Sequence, residues 1–431
     1  MPNEMAQKQQ TALLGTLRDF RSPEGGNLLA RLSSFHQWQQ ERIDQHLWNG
    51  DKSAAAKDDF TSRDHLGLSK VTHLREVVAD AVRSYGISPA NSASLETEVT
   101  QSLSDWFGGG DSLLFQSGWV AAYSAVQCLV GPNDHVMLDV ATRPALQEGA
   151  KSSTQNLHYF PHLSVDALAY KLERLRLRDQ RNGILVAIET LYADHATSPD
   201  LPAIRALCKE FNATLLLECT NDLGSAGLSG LGLASDERIN SADLLVGDLS
   251  HTFSTEGGFI ATRSAPAAAY LRAFGASLTT GPSAPALVAA RGALKIIQSE
   301  DGEGLRRDLA GKSEQLVGLL EAQEFDVFGK SPQMVLVKAG PVAFARLFAR
   351  RVAALGHFVE FLEGVPGAKG AAIVRLMVSA RHTNLQLQEI VEILVKARQR
   401  AEREAELLGL SYRKERSAAD RTNSSNRRNA A

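Results

Sequence analysis

The stretch LLVGDLSHTFSTEGGF, residues 244–259, contains two short apolar segments joined by a turn. Residues 244–246 read as a buried strand, residues 247–252 as the turn, and a second strand follows the glycine pair at 257–258. Turns at the carboxyl ends of strands are where α/β sheets hold their reactive side chains. His251 lies at the tip of this turn, so it is the first candidate for a functional residue.

Similar apolar runs recur on both sides of this stretch, with helical segments between them. They are rich in Leu, Ile and Val and do not alternate with polar residues, which indicates strands covered on both faces. The runs are SLLF before Gln116, HVMLD at 135–139, GILVAIE at 183–189, ATLLLE at 213–218, DLLVG at 243–247 and GGFIATR at 257–263. They predict an α/β fold with a mostly parallel sheet, in a large domain over residues 58–290.

Three other segments have a different character. Residues 1–57 carry apolar side chains at helical spacing, which predicts an N-terminal helical arm. Residues 291–405 alternate between helices and strands, and Thr383 with Gln386 matches a capping box, which predicts a smaller α+β C-terminal domain. Residues 406–431 are polar and basic without an apolar period, so we expect a disordered tail.

Composition excludes several classes of partner. The 431 residues are 44% hydrophobic and 22% charged, with a formal net charge of -3, which does not favour nucleic acid or a membrane surface. No run approaches the roughly 20 apolar residues of a membrane span, and no signal-peptide pattern is visible, so we expect a cytoplasmic protein. Cys128, Cys208 and Cys219 show no metal-ligand spacing, which predicts no metal site and no disulfide.

Eight motifs occur in the order and spacing of one enzyme family. They are HLGLS (65–69), YG (85–86), LLFQSGWVA (113–121), HVMLD (135–139), ILVAIETLY (184–192), ATLLLECTNDLGSAG (213–227), LVGDLSHTFSTEGGF (245–259) and VRLMVSARHT (374–383). The chain resembles the α-oxoamine synthases over roughly residues 58–397. The resemblance implies the fold type I, aminotransferase-like architecture of pyridoxal 5′-phosphate enzymes. Members such as aminooxononanoate synthase, aminolevulinate synthase, glycine C-acetyltransferase and serine palmitoyltransferase condense an amino acid with an acyl thioester.

The turn at 247–252 departs from the family at two positions. The family turn reads Gly-Thr-Leu-Ser-Lys-Ala, and its lysine forms the Schiff base with the cofactor; here that position is His251. The family threonine that helps to hold the cofactor phosphate is Asp248. At about 4 Å and an effective dielectric near 20, each unit-charge pair costs about 4 kcal/mol. The sequence therefore predicts weak or absent pyridoxal phosphate binding.

Three further positions differ in the parts of the site that face the cofactor ring. The family aspartate that pairs with the ring nitrogen matches Glu218, and the histidine that reaches the ring hydroxyl matches Asn221. The histidine that stacks on the ring matches Arg143. An arginine there can lie over a ring or pair with Asp248 or Glu218, and both alternatives stay open.

Other family positions are retained. The resemblance assigns cofactor contacts to Ser117, Gly118, Trp119 and Ser250, and assigns a phosphate contact across the dimer interface to Thr279 and Thr280. It assigns Arg375 to the substrate carboxylate, while Glu189 matches a family glutamate and is a second substrate-binding candidate. The retained positions predict that the fold and the dimer contacts are intact.

Three functions are compatible with this pattern. The first is a pseudoenzyme, an accessory or regulatory subunit that dimerises with itself or with an active homologue, as the lysine-lacking subunit of eukaryotic serine palmitoyltransferase does. The second is an active enzyme that uses His251 as a general base, since an unperturbed imidazole pKa of about 6.5 suits that role. The third is a protein that binds an anionic metabolite through Arg143 and Arg375.

Overall fold

The structure, a computed structural model, describes residues 59–88, 92–233, 242–275, 280–329, 331–357, 359–363, 365 and 371–410. The helices are α1 (Thr72–Tyr85), α2 (Ala93–Trp106), α3 (Gly118–Leu129), α4 (Pro144–Ser153), α5 (Val165–Arg176), α6 (Leu201–Glu210), α7 (Ala265–Phe274), α8 (Ala284–Gln298), α9 (Glu300–Ala322), α10 (Val342–Ala353) and α11 (Asn384–Leu407). The strands are β1 (Asp111–Phe115), β2 (His135–Asp139), β3 (Leu157–Phe160), β4 (Ile184–Glu189), β5 (Thr214–Glu218), β6 (Leu244–Asp248), β7 (Gly258–Thr262), β8 (Val327–Phe328), β9 (Met334–Pro341), β10 (Glu360–Leu362) and β11 (Ala371–Met377).

Seven strands form the larger sheet, in the order β1-β7-β6-β5-β4-β2-β3. Neighbouring strands are parallel from β6 to β3, and only β7 runs in the opposite direction, pairing antiparallel with both β6 and β1. The mostly parallel α/β sheet predicted from the apolar runs is confirmed.

Both faces of this sheet are covered, because alternate residues of each central strand enter different apolar clusters. In β4, Val186 and Ile188 join one cluster, whereas Leu185 and Ala187 join another. In β5, Leu216 likewise points away from its two neighbours. A strand buried on both sides favours apolar residues on both faces along its interior, which explains the apolar runs of the sequence.

The smaller sheet has four antiparallel strands in the order β10-β11-β9-β8. Helix α11 packs against α10 and α9 beside it. Thr383 Oγ1 accepts from the Gln386 amide at 3.2 Å and Gln386 Oε1 accepts from the Thr383 amide at 2.8 Å, so the predicted capping box is confirmed. In the register of β10 and β11, Glu360 lies opposite Arg375.

Two details differ from the sequence expectations. Strand β3 was not predicted; it lies at the sheet edge and is only partly buried, so the segment LHYF lacks an unbroken apolar run. Helix α11 continues to Leu407, into the segment predicted to be a tail. The division at residue 290 stays a prediction, and α8 crosses it. The predicted arm at 1–57 and the tail from 411 lie outside the described residues.

Candidate functional site

Polar side chains collect where the parallel strands end. Glu189, Glu218 and Asp248 are the last residues of β4, β5 and β6, three neighbouring strands. Ser117 caps the N-terminus of α3, and Arg143 immediately precedes α4. Because parallel strands point in one direction, all of these residues lie at one edge of the sheet, the usual position for a site in this fold class.

Arg143 and Glu218 form an ion pair at the carboxyl ends of the parallel strands. The Arg143 Nη1 atom donates to Glu218 Oε1, which also accepts from the Thr220 hydroxyl. Glu218 is only 1% exposed, and Arg143 is 27% exposed at the side chain. The second carboxylate oxygen of Glu218 is buried and has no hydrogen-bond partner in the described part of the chain. Of the two alternatives for Arg143, the structure therefore shows the pairing with Glu218.

Burial alone would lower the pKa of the Arg143 guanidinium, but nearby carboxylates outweigh this effect. Glu218, Glu189 and Asp248 together raise the pKa of Arg143, so this side chain stays charged. Burial and the charge of Glu218 raise the pKa of Glu189 well above its usual value, against the opposing effect of Arg143. Arg143 is thus the cation at the centre of three acidic groups.

Glu189 and Asn221 are linked to each other rather than open to a ligand. Glu189 accepts from the Arg143 amide at 2.6 Å and from Asn221 Nδ2 at 3.3 Å. Asn221 Nδ2 also donates to the Leu191 carbonyl at 2.9 Å, and the Asn221 carbonyl accepts from Gln333 at 2.5 Å. The side chain of Asn221 is therefore used to join the loops that follow β4 and β5.

Asp248 lies against the start of α3. A methyl group placed on Gly118 would lie 2.3 Å from Asp248 Cβ and 2.5 Å from its Oδ2 atom, so only glycine fits there. Gly258 has a similar requirement, because a methyl group on it would lie 2.4 Å from the Ser117 carbonyl oxygen. The carboxylate therefore covers the first turn of α3, where the positive end of the helix dipole stabilises an anion.

The predicted phosphate-binding residues around this helix start make contacts within the chain. Ser117 Oγ accepts from the Val120 amide at 3.3 Å, as an N-cap does. The amide of Ser250 donates to Asp248 Oδ1 at 2.6 Å. Trp119 is 50% exposed. Thr280 is exposed, and Thr279 lies outside the described residues, so the predicted contact across an interface stays a prediction.

The surroundings of His251 favour the neutral form of its imidazole. Burial, with the positive charges of Arg63 and Arg143, lowers the pKa of His251 well below its usual value, and a hydrogen bond with the Thr220 backbone opposes this only in part. The Nδ1 atom is buried and has no hydrogen-bond partner among the residues that the structure describes. An imidazole of this kind can accept a proton, but a lowered pKa makes it a weak base.

Arg375 is paired within the chain. Its Nε atom donates to Glu360 at 2.6 Å and its Nη1 atom to Asp194 at 2.8 Å, with the arginine side chain 6% exposed. Arg63 also contacts Glu360, at 3.4 Å. Glu360, Asp194 and Thr220 were not identified from the sequence. The mostly apolar segment HFVEFL, residues 357–362, contains Glu360 as its one acidic residue, but the pairing register of β10 with β11 was needed to find the contact.

Asp222, near Glu218, makes a pH-dependent contribution to stability. It accepts from the Thr190 hydroxyl at 2.5 Å and the Leu233 amide at 2.6 Å, and burial raises its pKa to about 7 despite these hydrogen bonds. Between about pH 4 and 7 the folded state keeps a proton that the unfolded chain releases. This contribution to the free energy of unfolding is complete below about pH 4 and falls by about 1.4 kcal/mol per pH unit towards pH 7.

Asp222→Asn should remove that dependence, because the amide can donate to Thr190 and accept from Leu233 without titrating. Urea unfolding of both proteins at pH 5, 6 and 7 measures the difference. We expect a flatter profile for Asp222→Asn, and parallel profiles would contradict the assignment.

No group of three or more potential metal ligands occurs in the described residues. The described helices include none with the length and apolarity needed to cross a membrane.

Comparison with known proteins gives the family. The model of aminotransferase class I and II matches residues 69–394. The 8-amino-7-oxononanoate synthase of Geobacter sulfurreducens is 26% identical over 344 residues, covering 78% of this chain and 87% of that protein. The serine palmitoyltransferase of Sphingobacterium spiritivorum is 26% identical over 365 residues, covering 80% and 88% respectively.

Solved structures agree on the fold. The serine palmitoyltransferase of Sphingomonas wittichii has a TM-score of 0.79 at 18% identity, covering 88% of this chain and 99% of that one. The 8-amino-7-oxononanoate synthase of Francisella tularensis has a TM-score of 0.67 at 18% identity, covering 80% and 98%. The chain therefore belongs to the aminotransferase class I and II family, has the fold of the type I pyridoxal-phosphate enzymes, and is homologous to the α-oxoamine synthases.

Proposed function

We propose that this chain is a degenerate α-oxoamine synthase homologue that acts as a non-catalytic accessory or regulatory subunit. In this proposal it is a cytoplasmic protein that forms a dimer with itself or with an active family member. The observation that carries the proposal is the position of the Asp248 carboxylate over Gly118, on the same turn that has His251 in place of the family lysine.

The residues of this edge do not fit pyridoxal 5′-phosphate. The family places the phosphate at the start of the helix after β1, and here Asp248 covers that position. A carboxylate about 4 Å from a phosphate costs about 4 kcal/mol per unit-charge pair at an effective dielectric near 20. His251 has no primary amine to form the Schiff base. We therefore propose that the cofactor binds weakly or not at all.

A histidine-based enzyme is the second candidate. It is favoured by one observation, the buried Nδ1 atom of His251 that has no partner in the described chain. The lowered pKa of His251 counts against it, because general bases work best when their pKa lies near the working pH.

The binding of an anionic metabolite has less support. That proposal relied on Arg143 and Arg375, and both arginines are paired with carboxylates of the chain itself. An incoming anion would have to displace Glu218 from one arginine, or Glu360 and Asp194 from the other. Displacement would leave a carboxylate without its cation, which is most unfavourable for Glu218 because it is buried.

An accessory role depends on what the chain offers a partner. In the α-oxoamine synthases, the residues that match Thr279 and Thr280 contact the cofactor phosphate of the opposite subunit. Thr280 is exposed in this chain. A subunit whose own site has lost the lysine can still complete a neighbouring site in this way. The overall fold is similar to that of a solved serine palmitoyltransferase.

The purified single chain tests the proposal. We expect no condensation of an amino acid with an acyl thioester, no yellow absorbance band with added pyridoxal phosphate, and a dimer in sedimentation at micromolar concentration. Condensation by the chain alone, or a borohydride-sensitive band that maps to a lysine, would refute the non-catalytic assignment. A monomer that recovers no family member in pull-downs would refute the dimeric one.

A further inference from the structure

The ring position of the site is occupied by a cation of the chain. In the family, the carboxylate that matches Glu218 pairs with the positively charged ring nitrogen of the cofactor. In this chain Glu218 Oε1 accepts from the Arg143 guanidinium. Arg143 also stands where the family has the histidine that stacks on the ring. The guanidinium is planar and positively charged, so it supplies the charge that a pyridinium would bring.

The phosphate position is occupied by an anion of the chain. The Asp248 carboxylate lies on Gly118 at the first turn of α3, and the Ser250 amide donates to it at 2.6 Å. A helix N-terminus and a free backbone amide are the groups that bind phosphates in many proteins. Here the Asp248 carboxylate accepts from the Ser250 amide and lies beside Gly118 at the helix start.

These two substitutions belong to one electrostatic arrangement. Asp248 is close enough to Arg143 to raise the pKa of its guanidinium together with Glu218 and Glu189. The site therefore contains a cation against Glu218 and an anion on the helix start, which is the charge distribution of a bound pyridinium phosphate.

We infer that Arg143 and Asp248 together substitute for the cofactor, so that this edge of the sheet keeps its charge balance with no ligand bound. The inference deepens the proposed accessory function and rests on it. The substrate position shows a similar replacement. Arg375 is paired with Glu360 and Asp194, whose carboxylates stand in for the carboxylate of an amino acid substrate. The family site has become a set of internal ion pairs.

Each half of the cofactor can be tested with its own probe. Inorganic phosphate reports on the helix start, and pyridoxine, which has the ring without the phosphate, reports on the Glu218 position. Isothermal titration of the full chain with each probe compares the wild type with Asp248→Thr, Arg143→His and the double variant. Asp111→Thr is the control, since it removes an exposed carboxylate whose ion pair within the described residues is with Arg272.

We expect no measurable binding of either probe to the wild type or to the control. Asp248→Thr should strengthen phosphate binding on the order of a thousandfold and leave pyridoxine binding unchanged. Arg143→His should permit pyridoxine binding and leave phosphate binding unchanged. Pyridoxal phosphate should bind the double variant more tightly than either single variant.

Unchanged phosphate affinity in Asp248→Thr would overturn the inference, and this arm decides the matter if Arg143→His does not fold. Micromolar binding of pyridoxal phosphate to the wild type would overturn it as well. The phosphate outcome is separate from a failure of the proposed function, whereas micromolar pyridoxal phosphate binding would also contradict the proposed weak cofactor binding. A wild-type chain that catalyses condensation alone while its probes bind as expected would refute the accessory role only.

Discussion

Arg143→Met should lower the free energy of unfolding by about 3 to 5 kcal/mol, because it leaves the Glu218 carboxylate buried without its cation. Glu218 is 1% exposed, and its Oε2 atom already lacks a hydrogen-bond partner in the described chain, so only the contacts with Thr220 would remain. Methionine retains much of the volume of the arginine stem, which restricts the change mainly to charge. Urea unfolding at neutral pH measures the difference.

Two further variants separate charge from packing. Arg143→Met combined with Glu218→Gln removes both charges and keeps an acceptor for Thr220, so it should recover most of the loss. Arg272→Met breaks the exposed pair with Asp111, whose side chains are 57% and 42% exposed, and should cost at most about 1 kcal/mol. Equal losses in Arg143→Met and Arg272→Met would show that Glu218 does not depend on its partner.

Replacing both Thr279 and Thr280 with alanine should weaken the cofactor binding of an active partner. Each lost hydrogen bond to a charged group is worth about 1.5 to 3 kcal/mol, or roughly ten- to a hundredfold in affinity. His251→Ala should change the partner little under the proposed function, because His251 lies in this chain's own site beside Arg63 and Arg143. Cofactor titration of the co-expressed complex measures both effects.

The histidine-based enzyme gives the opposite pattern. If His251 were a general base, His251→Ala would lower the rate on the order of 10²- to 10⁴-fold in the single chain. Thr97→Ala provides a matched control, since the Thr97 hydroxyl donates to the Ala93 carbonyl of its own helix. The accessory role would be contradicted if the partner bound its cofactor with the same affinity in complex with the Thr97→Ala variant of this chain and in complex with the Thr279 and Thr280 double variant.

The sheet could be read from the sequence because its central strands are buried on both faces. Residues such as Val186 and Leu216 face opposite apolar clusters, so the interior positions of those strands are apolar and form continuous runs in the sequence. Strand β3 was not predicted because it lies at the edge of the sheet and is only partly buried, so polar side chains such as His158 and Tyr159 occur in it. Burial on both sides, rather than strand propensity, made the difference.

The site was predictable in its positions and less so in its contacts. Sequence placed Asp248 and His251 on one turn, and the structure puts that turn beside Gly118. The sequence did not specify which carboxylate pairs with Arg143, because several carboxylates follow neighbouring strands. Their distances from Arg143 depend on how three strand ends are arranged. The pairing of Arg375 with Glu360 follows from the register of β10 and β11, which no local pattern in either strand specifies.

Under the proposed function, the contact between Asp248 and Gly118 also means that the phosphate site and the Schiff-base lysine would have to be restored at two separate positions. His251→Lys alone adds a third cation near Arg63 and Arg143, the two charges that already disfavour protonation of the histidine, and gains no phosphate site. Asp248→Thr alone removes the anion that the helix start stabilises and gains no amine. Under the proposed function, neither change alone supplies both the amine and the phosphate site, so both positions must change before the turn has the family lysine and threonine together.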